Sequence, residues 1–116
     1  MKSNIQLKGL IDELKKTASQ KNLKIWKRIA DDLEKPTRQR RIVNLSKINH
    51  FAKENETIIV PGKVLGTGEL NIKVNIASYK ISKQALDKLK ESNCQYYSIM
   101  DLVKANPEGK KVRIIG

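Results

Sequence analysis

The chain of 116 residues contains 24 Lys and Arg and only 12 Asp and Glu, which gives a formal net charge of +12. So large an excess of one sign repels itself in a small free protein and favours a polyanionic partner, most commonly nucleic acid. Cys94 is the only cysteine, which excludes an intramolecular disulfide, and no apolar stretch predicts a secretion signal or a membrane span, so we expect an intracellular chain without a membrane partner.

Apolar side chains in the first third of the chain predict two amphipathic helices. They recur at helical spacing from Leu7 to Ala18 and again from Leu23 to Leu33. Asn22 is a candidate cap for the second helix, and Pro36 ends it because proline has no backbone N–H. We therefore expect a helical hairpin over residues 1–36, in which Trp26 packs in the core rather than stacking on bases.

The segment TRQRR, residues 37–41, has no apolar side chain and predicts an exposed basic arm. Because no residue of this segment buries apolar surface, we expect the arm to be mobile in the free protein. Ile42 and Val43 are expected to enter the core directly after it.

Residues 42–116 predict a mixed core of short helices and strands. The β-branched run Thr57–Val60 predicts a buried strand, which the Pro61–Gly62 pair ends. Farther along the chain, apolar residues alternate in one phase up to Ile76 and in the opposite phase from Ala77. That change of phase predicts a β-bulge at this point.

Candidate caps mark three further helices. They are Asn44 or Ser46 for the first helix, Ser82 for the second and Ser98 for the third, where Asp101 completes the S-x-x-D spacing. In the first of these helices one buried face is expected to hold Leu45, Ile48, Phe51 and Ala52. Short strands are expected near Cys94–Tyr97 and Val112–Ile115. The chain is thus expected to be one α/β (mixed α+β) domain, with the hairpin at 1–36, the arm at 37–41 and the core at 42–116.

No pattern in the sequence predicts catalysis. His50 is the only histidine, and Cys94 lacks the spacing of a zinc site, so neither residue suggests a metal centre. The acids lie beside bases or in helix-opening turns, as expected for solvated helix faces. We therefore expect no enzyme activity, no metal and no cofactor.

The segment from Pro61 to Leu70 carries three glycines, Gly62, Gly66 and Gly68, beside Lys63. Its order matches neither the P-loop nor the dinucleotide-binding pattern. Two compatible interpretations remain open. Gly66 and Gly68 supply positive φ in a turn between strands, or the glycines let the backbone approach a phosphate while Lys63 adds a charge.

Basic residues cluster in two stretches that contain no acid. The first runs from Lys15 to Arg28 and the second from Lys35 to Lys47, and four of the five arginines lie between residues 28 and 41. A charge run often marks only a solvated face. Arginine, however, is suited to bidentate phosphate contacts and to stacking on bases. Arg38, Arg40 and Arg41 are therefore the first candidates for nucleic-acid contact.

Two segments, VPGKVLGTGEL at residues 60–70 and EGKKVRIIG at residues 108–116, carry a resemblance that extends over the whole chain. The sequence resembles the large-subunit ribosomal protein family called eighteen-e, which occurs in archaea and eukaryotes and shares a core with ribosomal protein fifteen. The short form is similar to the archaeal members. The resemblance implies an irregular layered core of short strands and helices, binding to large-subunit ribosomal RNA beside neighbouring ribosomal proteins, and no catalytic activity or cofactor.

The resemblance also implies three regions of contact. Residues 62–68 match the family's glycine loop, residues 38–41 match its basic region, and residues 109–113 match its tail. With the basic clusters, the expected RNA-binding residues are Lys21, Lys24, Lys27, Arg28, Lys35, Arg38, Arg40, Arg41, Lys47, Gly62, Lys63, Gly66, Gly68, Lys110, Lys111 and Arg113.

Three functions remain open for such a chain. The first is a structural constituent of the large ribosomal subunit, monomeric when free, located on the cytoplasmic ribosome and without a small-molecule substrate. The second is an architectural protein that binds duplex DNA non-specifically, although no recognition helix or apolar wedge is evident. The third is a small enzyme acting on RNA, for which no acid–base pair is evident.

Overall fold

The computed structural model describes residues 2–36 and 40–115, with side chains described from residue 6 onward. Helix α1 (Lys2–Lys21) and helix α2 (Lys24–Glu34) precede strand β1 (Arg41–Asn44) and helix α3 (Leu45–Phe51). Strand β2 (Thr57–Leu65) and strand β3 (Asn75–Ile81) follow. The chain then forms helix α4 (Lys83–Glu91), strand β4 (Gln95–Ser98), helix α5 (Ile99–Ala105) and strand β5 (Val112–Ile114).

Strand β2 organises the sheet, because three other strands pair with it. The order is β1-β2-β3-β4, and β5 also pairs with β2. Every pairing between these strands is parallel. Strand β5 aligns with residues 57–59 and β1 with residues 62–65, so the two short strands share one edge of β2. The other edge of β2 pairs with β3.

Helices cover both faces of this parallel sheet, as is usual when parallel strands are joined by helices. On one face, α1, α2 and α5 enclose a cluster that includes Trp26 and reaches Ile59 and Ala77 of the sheet. On the other face, α3 and α4 pack on a cluster that includes Ile58 and Ile76. Adjacent strand residues therefore enter opposite cores. The predicted helical hairpin and the mixed α/β class are both confirmed.

Asn22 ends the first helix instead of capping the second. Its φ is +55°, and the backbone N–H of Leu23 donates to the carbonyl oxygen of Ala18 at 3.0 Å. This six-to-one bond around a left-handed residue closes a helix C-terminus, a conformation that asparagine tolerates. Leu23 is the N-cap of α2 and makes no side-chain capping bond. The predicted cap was therefore wrong.

The prediction that Pro61 and Gly62 end a strand was also wrong. Strand β2 continues through both residues to Leu65. Its register with β3 shifts between Val60 and Lys63, so the bulge lies here and Pro61 has no need to donate a ladder hydrogen bond. The bulge predicted at Ile76–Ala77 is wrong, because the pairing of β3 is continuous through both residues. Both are buried because each faces one of the two cores, and this explains the change of phase.

Two apolar residues expected in the core are exposed. Ile42 is 65% exposed, although its neighbour Val43 is buried, and Phe51 at the end of α3 is 52% exposed. The Phe51 ring lies edge-on to His50, with 4.6 Å between ring centroids. Strand β1 begins at Arg41, inside the predicted basic arm, while Arg38 lies outside the described residues.

The other predicted caps are confirmed. Asn44 accepts from the backbone N–H of Lys47, Ser82 from that of Ala85 and Ser98 from that of Asp101. Trp26 is fully buried, and its indole N–H donates to the carbonyl oxygen of Pro107 at 2.7 Å. That bond ties the hairpin to the loop before β5, so a residue expected to pack in the core also fixes the C-terminal segment.

Candidate nucleic-acid interface

A cleft of about 210 Å³ opens where β1, the bulge of β2 and the end of β3 lie side by side. It is lined by Arg40, Arg41, Ile42, Gly62, Lys63, Tyr79 and Lys80, and we call this group the cationic cleft. Four of its seven lining residues are cations and none is an acid. Four of the seven lining residues, Arg40, Arg41, Gly62 and Lys63, were predicted from the sequence as binding candidates, and the fold brings them together.

Gly62 allows the cleft to form because it lets β1 approach β2. Gly62 aligns with Arg41 in the parallel register, and a Cβ added at Gly62 would overlap the carbonyl oxygen of Arg41. Any side chain at this position would push the two strands apart. The role of Gly62 is thus to position Arg41.

Tyr79 holds two cations in the cationic cleft. The guanidinium carbon of Arg40 lies 5.4 Å from the Tyr79 ring centroid, and the Lys80 Nζ lies 5.6 Å from it. These are cation–π distances. The Arg40 Nε also donates to the carbonyl oxygen of Lys35, the C-cap of α2, at 3.1 Å. Arg40 is therefore fixed from two sides, although it lies in the segment predicted to be mobile.

A buried polar network beneath the cleft fixes the end of β3. The Ser78 hydroxyl donates to the carbonyl oxygen of Lys80 at 2.8 Å, and its oxygen lies 2.9 Å from the Tyr96 hydroxyl. Because the one hydroxyl proton of Ser78 goes to Lys80, Tyr96 donates its own proton, which is shared between the Ser78 hydroxyl oxygen and the Ser78 carbonyl oxygen at 3.3 Å. Burial raises the pKa of Tyr96 above its ordinary value of 10.0, and the hydrogen bond with Ser78 opposes this effect in part.

The remaining glycines of the predicted loop do not line the cleft. Gly68 has a φ of +92°, and an added Cβ at either position would collide, at Gly66 with Gln84 and Ala85 and at Gly68 with Ser46. The loop thus packs against the starts of α4 and α3. Lys88 closes it by donating through Nζ to the carbonyl oxygens of Gly66 at 2.7 Å and Gly68 at 2.9 Å. The prediction of positive φ is confirmed for Gly68 and wrong for Gly66, where the close approach of α4 is what excludes a side chain. Lys63 lies apart from both in β2.

Comparison with known proteins gives one family. Residues 6–96 match the family of ribosomal proteins that includes 50S-L15 and 50S-L18e together with a member of the 60S subunit. The chain is 47% identical over 114 residues to the large ribosomal subunit protein eL18 of Methanoregula boonei, covering 98% of this chain and 94% of that one. The eL18 proteins of Methanothermobacter thermautotrophicus and Archaeoglobus fulgidus are 42% and 40% identical. Each alignment covers 98% of this chain, with 94% and 97% of the relative.

The chain belongs to this family of large-subunit ribosomal proteins. Membership confirms the resemblance to archaeal members and the prediction that the chain is not an enzyme. The matched range 6–96 includes the whole cationic cleft, whose residues lie between 40 and 80.

The cations predicted on the hairpin are arranged differently from those of the ribosomal protein's cleft. Lys27 pairs with Asp31 and Lys35 with Asp32, both at 3.2 Å, so two acids that lie between the acid-free stretches partly neutralise the nearest lysine of each stretch. Lys24 and Arg28 border a groove of about 500 Å³ between α2 and β5. Lys21 is exposed at the end of α1.

The other predicted residues are spread over the molecule. Lys47 is exposed on α3, and Lys110 and Lys111 are exposed in the turn before β5. Arg113 is engaged internally, because its Nε donates to Glu56 at 2.9 Å. These four residues do not join the cleft.

Tyr79 and Lys80 were missed as binding candidates. The available signal was a tyrosine beside a lysine at the end of a strand, which becomes informative only once the register places it next to Lys63. Within residues 2–36 and 40–115, no group of His, Cys, Asp or Glu could hold a metal ion, and no helix is long and apolar enough to cross a membrane.

Proposed function

We propose that this large-subunit ribosomal protein binds ribosomal RNA and that the cationic cleft is its principal contact. One observation carries the proposal. Arg40, Arg41, Lys63 and Lys80 come from three neighbouring strands or strand ends and converge on one cleft. In the described part of the chain none of these four forms an ion pair with an acid.

The mechanism follows from charges that the fold holds in place. Four like charges in one cleft repel each other, and a phosphodiester backbone relieves this repulsion while it releases condensed counterions. Gly62 and Ser78 fix the strands that carry these charges, so the backbone that bears the four cations is in place before RNA arrives. Pre-ordering lowers the entropy lost on binding. Phosphate contacts position the protein, and the shape of the RNA supplies specificity.

A charge-matched comparison tests the role of the cleft. In one variant Arg41, Lys63 and Lys80 are changed to Gln, and in the control Lys83, Lys90 and Lys104, which are exposed outside the cleft, are changed to Gln. We expect the cleft variant to bind a large-subunit ribosomal RNA fragment on the order of tenfold more weakly. We also expect a log–log salt slope that is shallower by about 2. The control should change the affinity only slightly.

Filter binding over a salt series measures both quantities, and circular dichroism checks that each variant is folded. Equal losses in the two variants would show that net charge alone drives binding, and the cleft assignment would be wrong. The same assay with duplex DNA at matched salt tests the alternative of an architectural DNA-binding protein. Equal affinity of the unaltered protein for RNA and DNA would favour that alternative.

A further inference from the structure

The cationic cleft contains more apolar surface than phosphate binding requires. Ile42 and Tyr79 line it together with the four cations, and Ile42 is 65% exposed in the folded protein. A single exposed isoleucine is ordinary at a protein surface, but this one lies in the cleft beside four cations, where a ligand bound to them would cover it. A continuous duplex backbone would offer this side chain only phosphates and sugars.

The strand register explains why these groups meet. Ile42 aligns with Lys63 on the neighbouring strand, and Lys63 aligns with Lys80 on the next, so three side chains form one row across β1, β2 and β3. All three line the same cleft. An apolar group therefore stands at one end of the row and two ammonium groups at the other. This arrangement suits a ligand with one flat apolar part and one anionic part.

Arg40 and Tyr79 supply a flat surface beside this row. The guanidinium lies over the ring, and its Nε is held by the carbonyl oxygen of Lys35. Guanidinium planes and tyrosine rings are the surfaces on which unstacked RNA bases pack. The Arg40–Tyr79 contact already exists in the free protein, so a base meets a surface that is formed before it binds.

We infer that the cationic cleft accepts a single unpaired nucleotide of RNA. Its base packs against Ile42 and the Arg40–Tyr79 pair, and its phosphate contacts Lys63 and Lys80. This inference rests on the proposed function and specifies it. The ligand is a nucleotide extruded from a helix, in a bulge or an internal loop, rather than a continuous duplex.

Two RNA hairpins and two tyrosine variants test the inference. One hairpin carries one unpaired 2-aminopurine nucleotide in its stem, and the other lacks that nucleotide. We expect the unaltered protein to bind the first hairpin about tenfold more tightly, a difference typical of one stacked base, and to quench its fluorescence. Tyr79→Leu should remove most of this preference, measured as the ratio of the two affinities, because the base loses the ring on which it packs. Tyr97→Leu, on β4 outside the cleft, should keep the preference.

The outcomes separate this inference from the proposed function. Equal binding of both hairpins by the unaltered protein, or an undiminished preference in folded Tyr79→Leu, would overturn the inference and leave RNA binding by the cleft intact. Failure of the protein to bind either hairpin more tightly than duplex DNA would overturn the proposed function itself. If Tyr79→Leu does not fold, Ile42→Ala replaces it, because this exposed side chain supports no described core contact, and the same loss of preference is expected.

Discussion

Single residues decide whether the cleft exists. Gly62 is required by the carbonyl oxygen of the neighbouring strand, Ser78 holds the backbone of Lys80, and Tyr79 holds Arg40. Only one of these residues, Gly62, was singled out from the sequence, and the reason for its importance was not evident there. A glycine that lets a neighbouring strand approach cannot be distinguished in the sequence from a glycine that lets a phosphate approach. Only the strand register separates the two.

Replacing Gly62 by alanine should destabilise the fold. The added methyl group would overlap the backbone of β1, and relieving such overpacking costs about 1–3 kcal/mol. Gly9→Ala is the matched control, because its added Cβ meets no atom within 4 Å in the middle of α1. That change should stabilise the protein by about 0.5–1 kcal/mol. Urea unfolding measures both, and a Gly62→Ala protein as stable as the unaltered one would contradict the argument.

At the scale of elements, the sequence predicted helices better than strands. Helical periodicity located the hairpin, and the caps Asn44, Ser82 and Ser98 were confirmed because capping is a local interaction. The predicted strand ended at Pro61–Gly62, whereas β2 continues to Leu65. Proline and glycine normally end strands, and only the pairing partners on both sides reveal a bulge. The bulge predicted at Ile76–Ala77 was wrong because strict alternation is expected only when one face of a sheet is buried. Here both faces are buried, so adjacent residues are both apolar.

Glu56 joins two elements and makes stability depend on pH. It accepts from the backbone N–H of Lys53 at 2.9 Å and from the Arg113 Nε of β5 at 2.9 Å. The bond from Lys53, and then the Arg113 guanidinium, lower the pKa of Glu56 below its ordinary value of 4.5. Because the pKa of Glu56 is lower in the folded than in the unfolded protein, the ionised carboxylate stabilises the fold at pH values above the unfolded pKa. This stability is lost as the pH falls through the folded pKa.

Glu56→Gln should therefore destabilise the protein at pH 7 by about 0.5–1 kcal/mol. The difference should vanish in acid below the lowered pKa, where the unaltered carboxyl is protonated as well. Glu54→Gln, an exposed acid in the same loop, controls for the change in net charge and should have little effect. Thermal unfolding from pH 7 to pH 3 gives the comparison, and a constant difference across this range would contradict the role assigned to Glu56.

At the scale of the whole molecule, charge sets the behaviour of the free protein. The net charge of +12 makes the cations of the free protein repel each other. The four described ion pairs are all partly exposed, so they offset only a small part of this repulsion. The sequence alone was sufficient to infer a polyanionic partner from this excess. It did not reveal the ion pair between Lys15 and Glu34, because that pair joins α1 to α2 and forms only when the two helices pack together.

Added salt should have opposite effects on stability and on RNA binding. Raising the ionic strength from about 0.05 M to about 0.3 M shortens the screening length and weakens the repulsion among exposed cations. We therefore expect the melting temperature of the free protein to rise while its affinity for ribosomal RNA falls steeply. Calorimetry measures the melting temperature and filter binding measures the affinity for RNA, both in the same buffers. A melting temperature that falls with salt would show that attractive pairs dominate.

The parallel sheet has a consequence for how the chain reaches its fold. Parallel neighbours cannot be joined by a tight turn, so each strand must wait for a partner distant in the chain. Strand β2 pairs with β1 and β3, the strands just before and after it in the sequence, whereas its contact with β5 joins Thr57 to Val112, almost half the chain later. Contacts of such long range slow folding. During synthesis, residues 57–59 keep an open sheet edge until the final strand has been made, and such an edge can pair with another chain.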